Sequence, residues 1–250
     1  MSQKAMKTVL RKIFLLKRQY NNLPLFQFMR DDSIDAAKRL SFFPCMAHFI
    51  MSFGDLNKYV LRSEPAADKF QEKVNLHSYE DDHHWPWYLE DFQKLGYDLP
   101  TRPTDLMRFL WGEETHKNRV LMYQLTAMIA QASGAERIAI IEAIEETGNV
   151  LFTTMLDLAK TLEGRYGVEL RYCGVHHHAL ESGHAVASEH EEIAAIDLDE
   201  ASTQRCLAWA DQVFDLFEDW TNELLAYARR TTPTASAPDR RTSYGAELLS

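Results

Sequence analysis

Glycine and proline are scarce in this sequence, which contains 10 glycines and 8 prolines among 250 residues. A β-sandwich or β-barrel needs frequent turn residues between short alternating segments, so this scarcity argues against both folds. Apolar residues make up 46% of the chain, which is enough to bury a substantial core. We therefore predict an all-α protein.

Basic residues are outnumbered, with 27 Lys and Arg against 37 Asp and Glu and a net charge of -10. A general nucleic-acid-binding surface needs a basic field that displaces counterions from phosphates, so this class is disfavoured. No apolar run approaches the roughly 18 residues of a membrane span. The apolar stretch at 9–16 is interrupted by Arg11 and Lys12, unlike a signal peptide. We expect neither nucleic acid nor a membrane as partner.

Cysteine is also rare, and Cys45, Cys173 and Cys206 are far apart. An odd number of widely separated cysteines predicts neither a disulfide framework nor a CxxC zinc site. This usage fits the reducing cytoplasm, which is the expected location. The sequence leaves the oligomeric state open, with a homodimer as one option.

Helical periodicity divides the sequence into about seven segments. The expected helices cover 4–20, 33–62, 64–95, 103–132, 134–163, 168–190 and 203–230. Pro44 and Pro86 lie inside two of these segments and should kink or interrupt them, since proline lacks an N–H and its ring clashes with the preceding turn. The apolar period is lost from Thr231 onward. We predict one helical domain over 1–230 and a flexible tail over 231–250.

The strongest local motif is His177-x3-Glu181-x2-His184. At about 100° per residue, these three positions share one face of a helix. Two imidazoles and a carboxylate on one face can bind a first-row divalent metal and leave coordination positions open. The alternative is a solvated, histidine-rich helix.

The segment 134–163 carries a carboxylate within its apolar stripe. Glu145 and Gly148 complete the stripe that runs through Ile141, whereas Glu142 and Glu146 are expected to face solvent. An unpaired buried carboxylate is costly, so Glu145 needs a cation, a hydrogen-bonding network or protonation. A metal ion and a basic side chain from another helix are both suitable partners. Gly148 either leaves room for substrate or oxygen, or permits close helix packing.

A third acidic and histidine-rich segment lies just before Pro86. Glu80 and His84 have i,i+4 spacing and can converge on an ion, while Glu80 and His83 offer an i,i+3 alternative. If the helical phase continues through the proline, His84 shares a stripe with Tyr88, which favours it as the inward-facing histidine. We therefore predict Glu80 and His84 as ligands.

The other polar residues of this segment have more ordinary interpretations. His77 and His83 are reserve ligands or hydrogen-bonding partners of ligands. Asp81 and Asp82 are expected to be surface charges.

Three helices that each supply carboxylates or imidazoles are typical of a dinuclear site in the core of a helical bundle. The predicted metal ligands are Glu80, His84, Glu145, His177, Glu181 and His184. Three carboxylates and three imidazoles suit iron or manganese better than a thiolate-rich zinc site, and iron is the first choice.

These residues resemble the haem-oxygenase-like diiron oxidase and oxygenase superfamily, whose seven-helix fold is shared with the TenA and PqqC families. His177, Glu181 and His184 match its last-helix pattern His-x3-Asp/Glu-x2-His. Glu145 fits the family's core glutamate, and Glu80 with His84 or His83 fits its earlier Glu/His pair. The resemblance implies a seven-helix bundle, two Fe(II) ions, O2 as co-substrate and oxidation of a small organic molecule. By analogy alone, it suggests natural-product biosynthesis.

Two other functions stay open at this point. One is TenA-like hydrolysis or PqqC-like metal-free oxidation, in which Cys45 or Cys173 would be essential. The other is a non-enzymatic helical scaffold, in which Glu145 would pair with a basic side chain.

Overall fold

The computed structural model describes residues 5–183 and 187–231, with the backbone alone at 181–183 and 187–190. All regular elements in this part of the chain are helical, which confirms the all-α prediction. The α-helices are α1 (Ala5–Tyr20), α2 (Pro24–Arg30), α3 (Ala36–Arg39), α4 (Ala47–Leu56), α5 (Lys69–Asp81), α6 (Trp85–Lys94), α7 (Pro103–Trp111), α8 (His116–Gln131), α9 (Gly134–Tyr166), α10 (Val175–Gly183), α11 (Ala187–Ala194) and α12 (Glu200–Arg230). Except for Thr231, the predicted tail lies outside the described residues.

The seven expected segments correspond to a larger number of shorter helices, because several of them are interrupted. Pro44 lies in a 3-10 helix, Phe43–Met46, that precedes α4. Pro86 lies in the first turn of α6, and the chain leaves the helical path at 82–84 before it. Both prolines therefore interrupt their segments, as predicted. The sequence pattern did not predict α2, a short helix that begins at a proline.

The longest helix, α9, has 33 residues and well-defined ends. The Ser133 side chain accepts a hydrogen bond from the Glu136 backbone N–H, and the Glu136 carboxylate accepts one from the Ser133 N–H. This capping box satisfies donors that a helix N-terminus otherwise leaves unpaired. At the other end, Gly167 adopts a left-handed conformation with φ 66°, which suits glycine. The sequence predicted a break between residues 163 and 168, and the structure has one there, although α9 continues three residues further than predicted, to Tyr166.

Long helices form the centre of the molecule. α1, α9 and α12 pack on one another, and α4 and α8 pack together, with α8 also against α12. α5 and α10 both lie against α9, which brings side chains from three distant parts of the sequence to one place. Within the described residues, no helix combines the length and the apolar character that a bilayer crossing requires.

The inward face of α5 is unusually polar. Its buried side chains are Gln71, Val74, Asn75, Ser78 and Asp81. The polar ones are hydrogen-bonded: Gln71 donates to the Leu61 carbonyl at 2.9 Å, Asn75 donates to the Ser63 carbonyl at 2.9 Å, and Ser78 accepts from Arg62 at 3.0 Å. These bonds offset the cost of burying polar groups and fix the rotation of α5.

Candidate metal centre

Three side chains from α5 and α9 converge between these helices. His77 Nε2 lies 3.2 Å from Asp81 Oδ2 and 3.6 Å from Glu145 Oε1. One potential ligand atom from each residue lies within 4.8 Å of the other two. Ligand atoms about 2.1 Å from a shared ion are separated by about 3 Å or more, so these spacings are compatible with one cation.

Two further imidazoles extend this group toward α10. His84 Nδ1 lies 4.0 Å from Asp81 Oδ1 and 3.2 Å from His177 Nε2. His84 and His177 are both buried, and their rings pack edge to face at 4.8 Å. The two oxygens of Asp81 therefore face different imidazoles, with His77 on one side and His84 on the other. We call His77, Asp81, His84, Glu145 and His177 the acidic-histidine cluster.

The backbone fixes the orientation of His177. Its Nδ1 lies 3.0 Å from the Tyr172 carbonyl oxygen, which can only accept, so Nδ1 carries the proton. In the neutral ring Nε2 is then unprotonated and presents its lone pair toward His84. The rings of Phe152 and Tyr172 lie 4.3 Å and 4.7 Å from the imidazole and hold it from the sides.

A buried carboxylate on α6 holds the loop that provides this carbonyl. Asp91 is fully buried and accepts backbone hydrogen bonds from Arg171, Tyr172 and Cys173 at 2.7, 2.8 and 2.9 Å. Burial raises the pKa of Asp91, and the three N–H donors lower it in part. Asp91 thus positions the Tyr172 carbonyl, and through it the imidazole of His177.

Trp87, also on α6, supports the second buried imidazole. Its indole stacks on His84 with ring centroids 4.5 Å apart and an angle of 20° between the planes. The guanidinium carbon of Arg171 lies 4.5 Å from the centroid of the same indole. Trp87 therefore contacts both His84 and Arg171, a residue of the loop that Asp91 holds. Both imidazoles, His84 and His177, are thus held in place by neighbouring residues.

The cluster borders an internal cavity. This space contains about 630 Å³ not filled by atoms, including its opening to solvent. Its acidic and histidine lining residues, Asp81, His84, Glu145 and His177, all belong to the acidic-histidine cluster. Most of the other lining is aromatic or aliphatic, with Phe49, Phe53, Leu151, Phe152, Phe217 and Trp220 among its members. An apolar pocket with a few convergent polar groups is the usual form of a small-molecule site.

The predicted ligands fall into three groups. His84, Glu145 and His177 come together in the cluster, and the prediction that His84 rather than His83 faces inward is confirmed. Glu80 lies on α5 with an exposed side chain. Glu181 lies in α10, but its side chain is outside the described residues, as is the whole of His184.

Two members of the cluster were assigned other roles from the sequence. Asp81 was expected to be a surface charge, which is wrong, because it is 4% exposed and contacts His77. His77 was a reserve ligand, and the structure brings it between Asp81 and Glu145. The useful signal was the His-x3-Asp spacing of these two residues, which repeats the His-x3-Glu spacing of the last-helix motif.

The environment of Glu145 also differs in part from expectation. Its side chain is 27% exposed, so it lies at the edge of the core rather than in the centre. Neighbouring Glu146 was expected to face solvent, but its side chain is only 13% exposed and forms an ion pair with Lys17. Lys17 also donates to Asn149 at 2.8 Å. The ammonium group of Lys17 therefore binds Glu146 and Asn149, which are neighbours of Glu145 on α9.

All three cysteines are buried free thiols. Burial raises the pKa of Cys206 to about 12, and burial also raises the pKa values of Cys45 and Cys173 above the usual thiol range. The thiolate is the nucleophilic form of cysteine, so raised pKa values make these groups poor nucleophiles near neutral pH.

We expect the native protein to react slowly or not at all with a thiol reagent such as dithionitrobenzoate at pH 8. Both the low thiolate fraction and the lack of access oppose the reaction. In denaturant, the same reagent should titrate all 3 cysteines. A thiol that reacts within seconds in the native protein would contradict this expectation and would favour a cysteine-dependent activity.

Comparison of the sequence with protein-family models and with curated proteins gave no match.

Proposed function

We propose that this protein is a non-haem diiron oxidase or oxygenase that uses O2 to oxidise a small organic molecule. The observation that carries this proposal is the convergence of His77, Asp81 and Glu145 beside His84 and His177 at an apolar cavity. Carboxylates and imidazoles without thiolates suit iron or manganese. Iron would supply redox chemistry with O2 that these side chains cannot perform themselves.

The arrangement of Asp81 favours two ions over one. Its Oδ2 faces His77 and its Oδ1 faces His84, at 3.2 Å and 4.0 Å from the respective ring nitrogens. A carboxylate whose oxygens face two separate imidazole groups can serve two cations at once. Glu145 then belongs to the His77 side and His177 to the His84 side.

The protein's own groups would prepare the site for metal and substrate. The Tyr172 carbonyl keeps the proton of His177 on Nδ1, so Nε2 is available as a ligand. Trp87 holds the plane of His84 by stacking. The largely apolar lining of the space beside the cluster suits an apolar substrate.

The two alternative functions receive less support. No cysteine is found among the described residues that line the cavity, and burial keeps the thiols of Cys45 and Cys173 protonated. For the scaffold alternative, the contact of Glu145 with His77 fits a structural ion pair as well as a metal site, and the nearby Lys17 pairs with Glu146. The cavity beside Asp81, His84, Glu145 and His177 favours a binding site over a filled scaffold core.

Anaerobic reconstitution with Fe(II) tests the proposal directly. After removal of unbound metal, we expect about two iron ions per chain, as in dinuclear bundle sites. Rapid mixing with O2 should then produce transient absorption and consume O2. Less than about one iron per chain and no O2 consumption would contradict the proposal. Tight manganese binding without O2 consumption would retain a metal site but reject the oxidase function.

Two adjacent histidines provide a matched comparison for this experiment. His84 is buried in the cluster, whereas the His83 side chain is 58% exposed and contacts Asp82 at 3.2 Å. We expect His84→Ala to lose at least about half of the bound iron, because it removes an imidazole from the site. His83→Ala should retain the wild-type iron content. Equal losses in both variants would exclude a specific role for His84.

A further inference from the structure

Gly148 occupies an unusual position for a glycine. It lies in the interior of α9, three residues after Glu145. Glycine is unfavourable relative to alanine inside a helix, since it loses more backbone freedom on folding. Its presence therefore calls for a reason in conformation, packing or function.

Neither backbone conformation nor packing supplies that reason. The described glycines with positive φ are Gly96 and Gly167, so Gly148 does not need glycine's conformational freedom. Among the described residues, a Cβ added to Gly148 would meet the Phe152 ring alone, at 3.6 and 3.9 Å, which is ordinary contact. By contrast, a Cβ at Gly134 would lie 2.9 Å from the Gln71 backbone nitrogen. The close-packing explanation for Gly148 is therefore not supported.

The space above Gly148 belongs to the cavity beside the acidic-histidine cluster. Next to it, the Thr147 hydroxyl donates to the Ile144 carbonyl at 2.7 Å, so this polar group is satisfied within α9. Among the described lining residues there is no Lys or Arg that could pair with a charged ligand group. The part of a ligand that lies away from the cluster is thus best matched if it is uncharged and apolar.

We propose that Gly148 is a specificity-determining residue that makes room for an uncharged, apolar part of the substrate beside the metal centre. The identity of this ligand as a substrate rests on the proposed oxidase function. A larger side chain at position 148 would occupy part of the cavity volume that Gly148 now leaves open. The size of the apolar group that the protein accepts should then depend directly on this one position.

Binding of straight-chain alcohols from butanol to decanol to the metal-free protein tests this proposal. Isothermal titration calorimetry would compare wild type with Gly148→Ala and Gly148→Leu. We expect Gly148→Leu to weaken binding of the longest alcohols roughly tenfold or more, because it occupies the volume of several methylene groups. Gly148→Ala should shift the preference toward shorter alcohols. It should also raise the Tm by about 2 °C or more, since a methyl group fits and favours the helix.

Gly164 provides the matched control in the same helix. It is exposed, and no atom of the described part of the chain lies within 4 Å of a Cβ added there. Gly164→Ala and Gly164→Leu should therefore leave alcohol binding unchanged. If Gly148→Leu bound the series like wild type, if Gly148→Ala lowered the Tm, or if wild type bound no alcohol, the proposal would be overturned. Because metal is absent, none of these results depends on whether the protein binds iron.

Discussion

Replacing Asp81 with asparagine is expected to lower the affinity for iron by at least about a hundredfold, because loss of a ligand should exceed the 10- to 100-fold effect of losing a ligand's hydrogen-bonding partner. Asp81 is the residue whose two oxygens face both His77 and His84. Asparagine keeps the shape of the side chain but removes its charge and one acceptor oxygen. Competition with a calibrated chelator would measure the affinity.

Two comparison variants sharpen this test. Asp157→Asn removes a carboxylate from α9 at a site that is 89% exposed, so it should bind iron like wild type. Glu80→Gln alters the carboxylate that the sequence motif predicted as a ligand, and we expect a smaller loss than for Asp81→Asn because Glu80 is exposed. If Asp81→Asn bound iron with wild-type affinity, Asp81 would be excluded as a ligand of the proposed site.

The second large effect is expected for Asp91→Asn. The asparagine has one acceptor oxygen, whereas three buried N–H groups of residues 171–173 now donate to the carboxylate. Leaving buried donors unpaired costs about 1–3 kcal/mol each, so we expect a loss of roughly 2–4 kcal/mol in the free energy of unfolding. Thermal unfolding should shift by about 5 °C or more.

Asp91→Asn should also weaken iron binding by about tenfold, since the displaced loop carries the Tyr172 carbonyl that orients His177. Asp98→Asn is a suitable control, because Asp98 follows α6 closely in sequence but is exposed. If Asp91→Asn lowered the Tm while iron affinity stayed constant, the carboxylate would support the fold alone. If Asp91→Asn had the wild-type Tm and the wild-type iron affinity, Asp91 would neither stabilise the fold nor position His177.

The sequence predicted the helical architecture well where apolar periodicity was strong. In α9, Ile141 is buried, as its place on the predicted apolar stripe required. The sequence was less informative where a helix begins at a proline or where neighbouring helices share one apolar pattern. The segment 64–95 was predicted as one helix with a kink or interruption at Pro86, and the structure has two separate helices there, α5 and α6.

The error about Asp81 has a physical cause in the polarity of α5. Periodicity identifies a buried face by its apolar residues, but this helix buries Gln71, Asn75 and Ser78 and exposes Leu76 and Tyr79. Its apolar pattern thus points away from the face that carries Asp81. The polar face of α5 can be buried because its side chains form hydrogen bonds with groups outside the helix, such as Arg62 and the Leu61 carbonyl.

Asp91 was not identified from the sequence for a related reason. It looks like one of several acidic residues in a helix, and its partners are backbone groups some 80 positions away. Backbone donors leave no sequence pattern. His84 was easier to assign, because its spacing from Tyr88 placed it on the inward stripe, where the structure has it.

The acidic-histidine cluster draws its members from α5, the start of α6, α9 and α10, so its geometry does not exist in the unfolded chain. A cation that binds there would stabilise the folded state alone, and the midpoint of thermal denaturation would rise with the concentration of free metal. Metal supply and chain stability would then be thermodynamically linked, and chelation would make the protein easier to unfold as well as inactive.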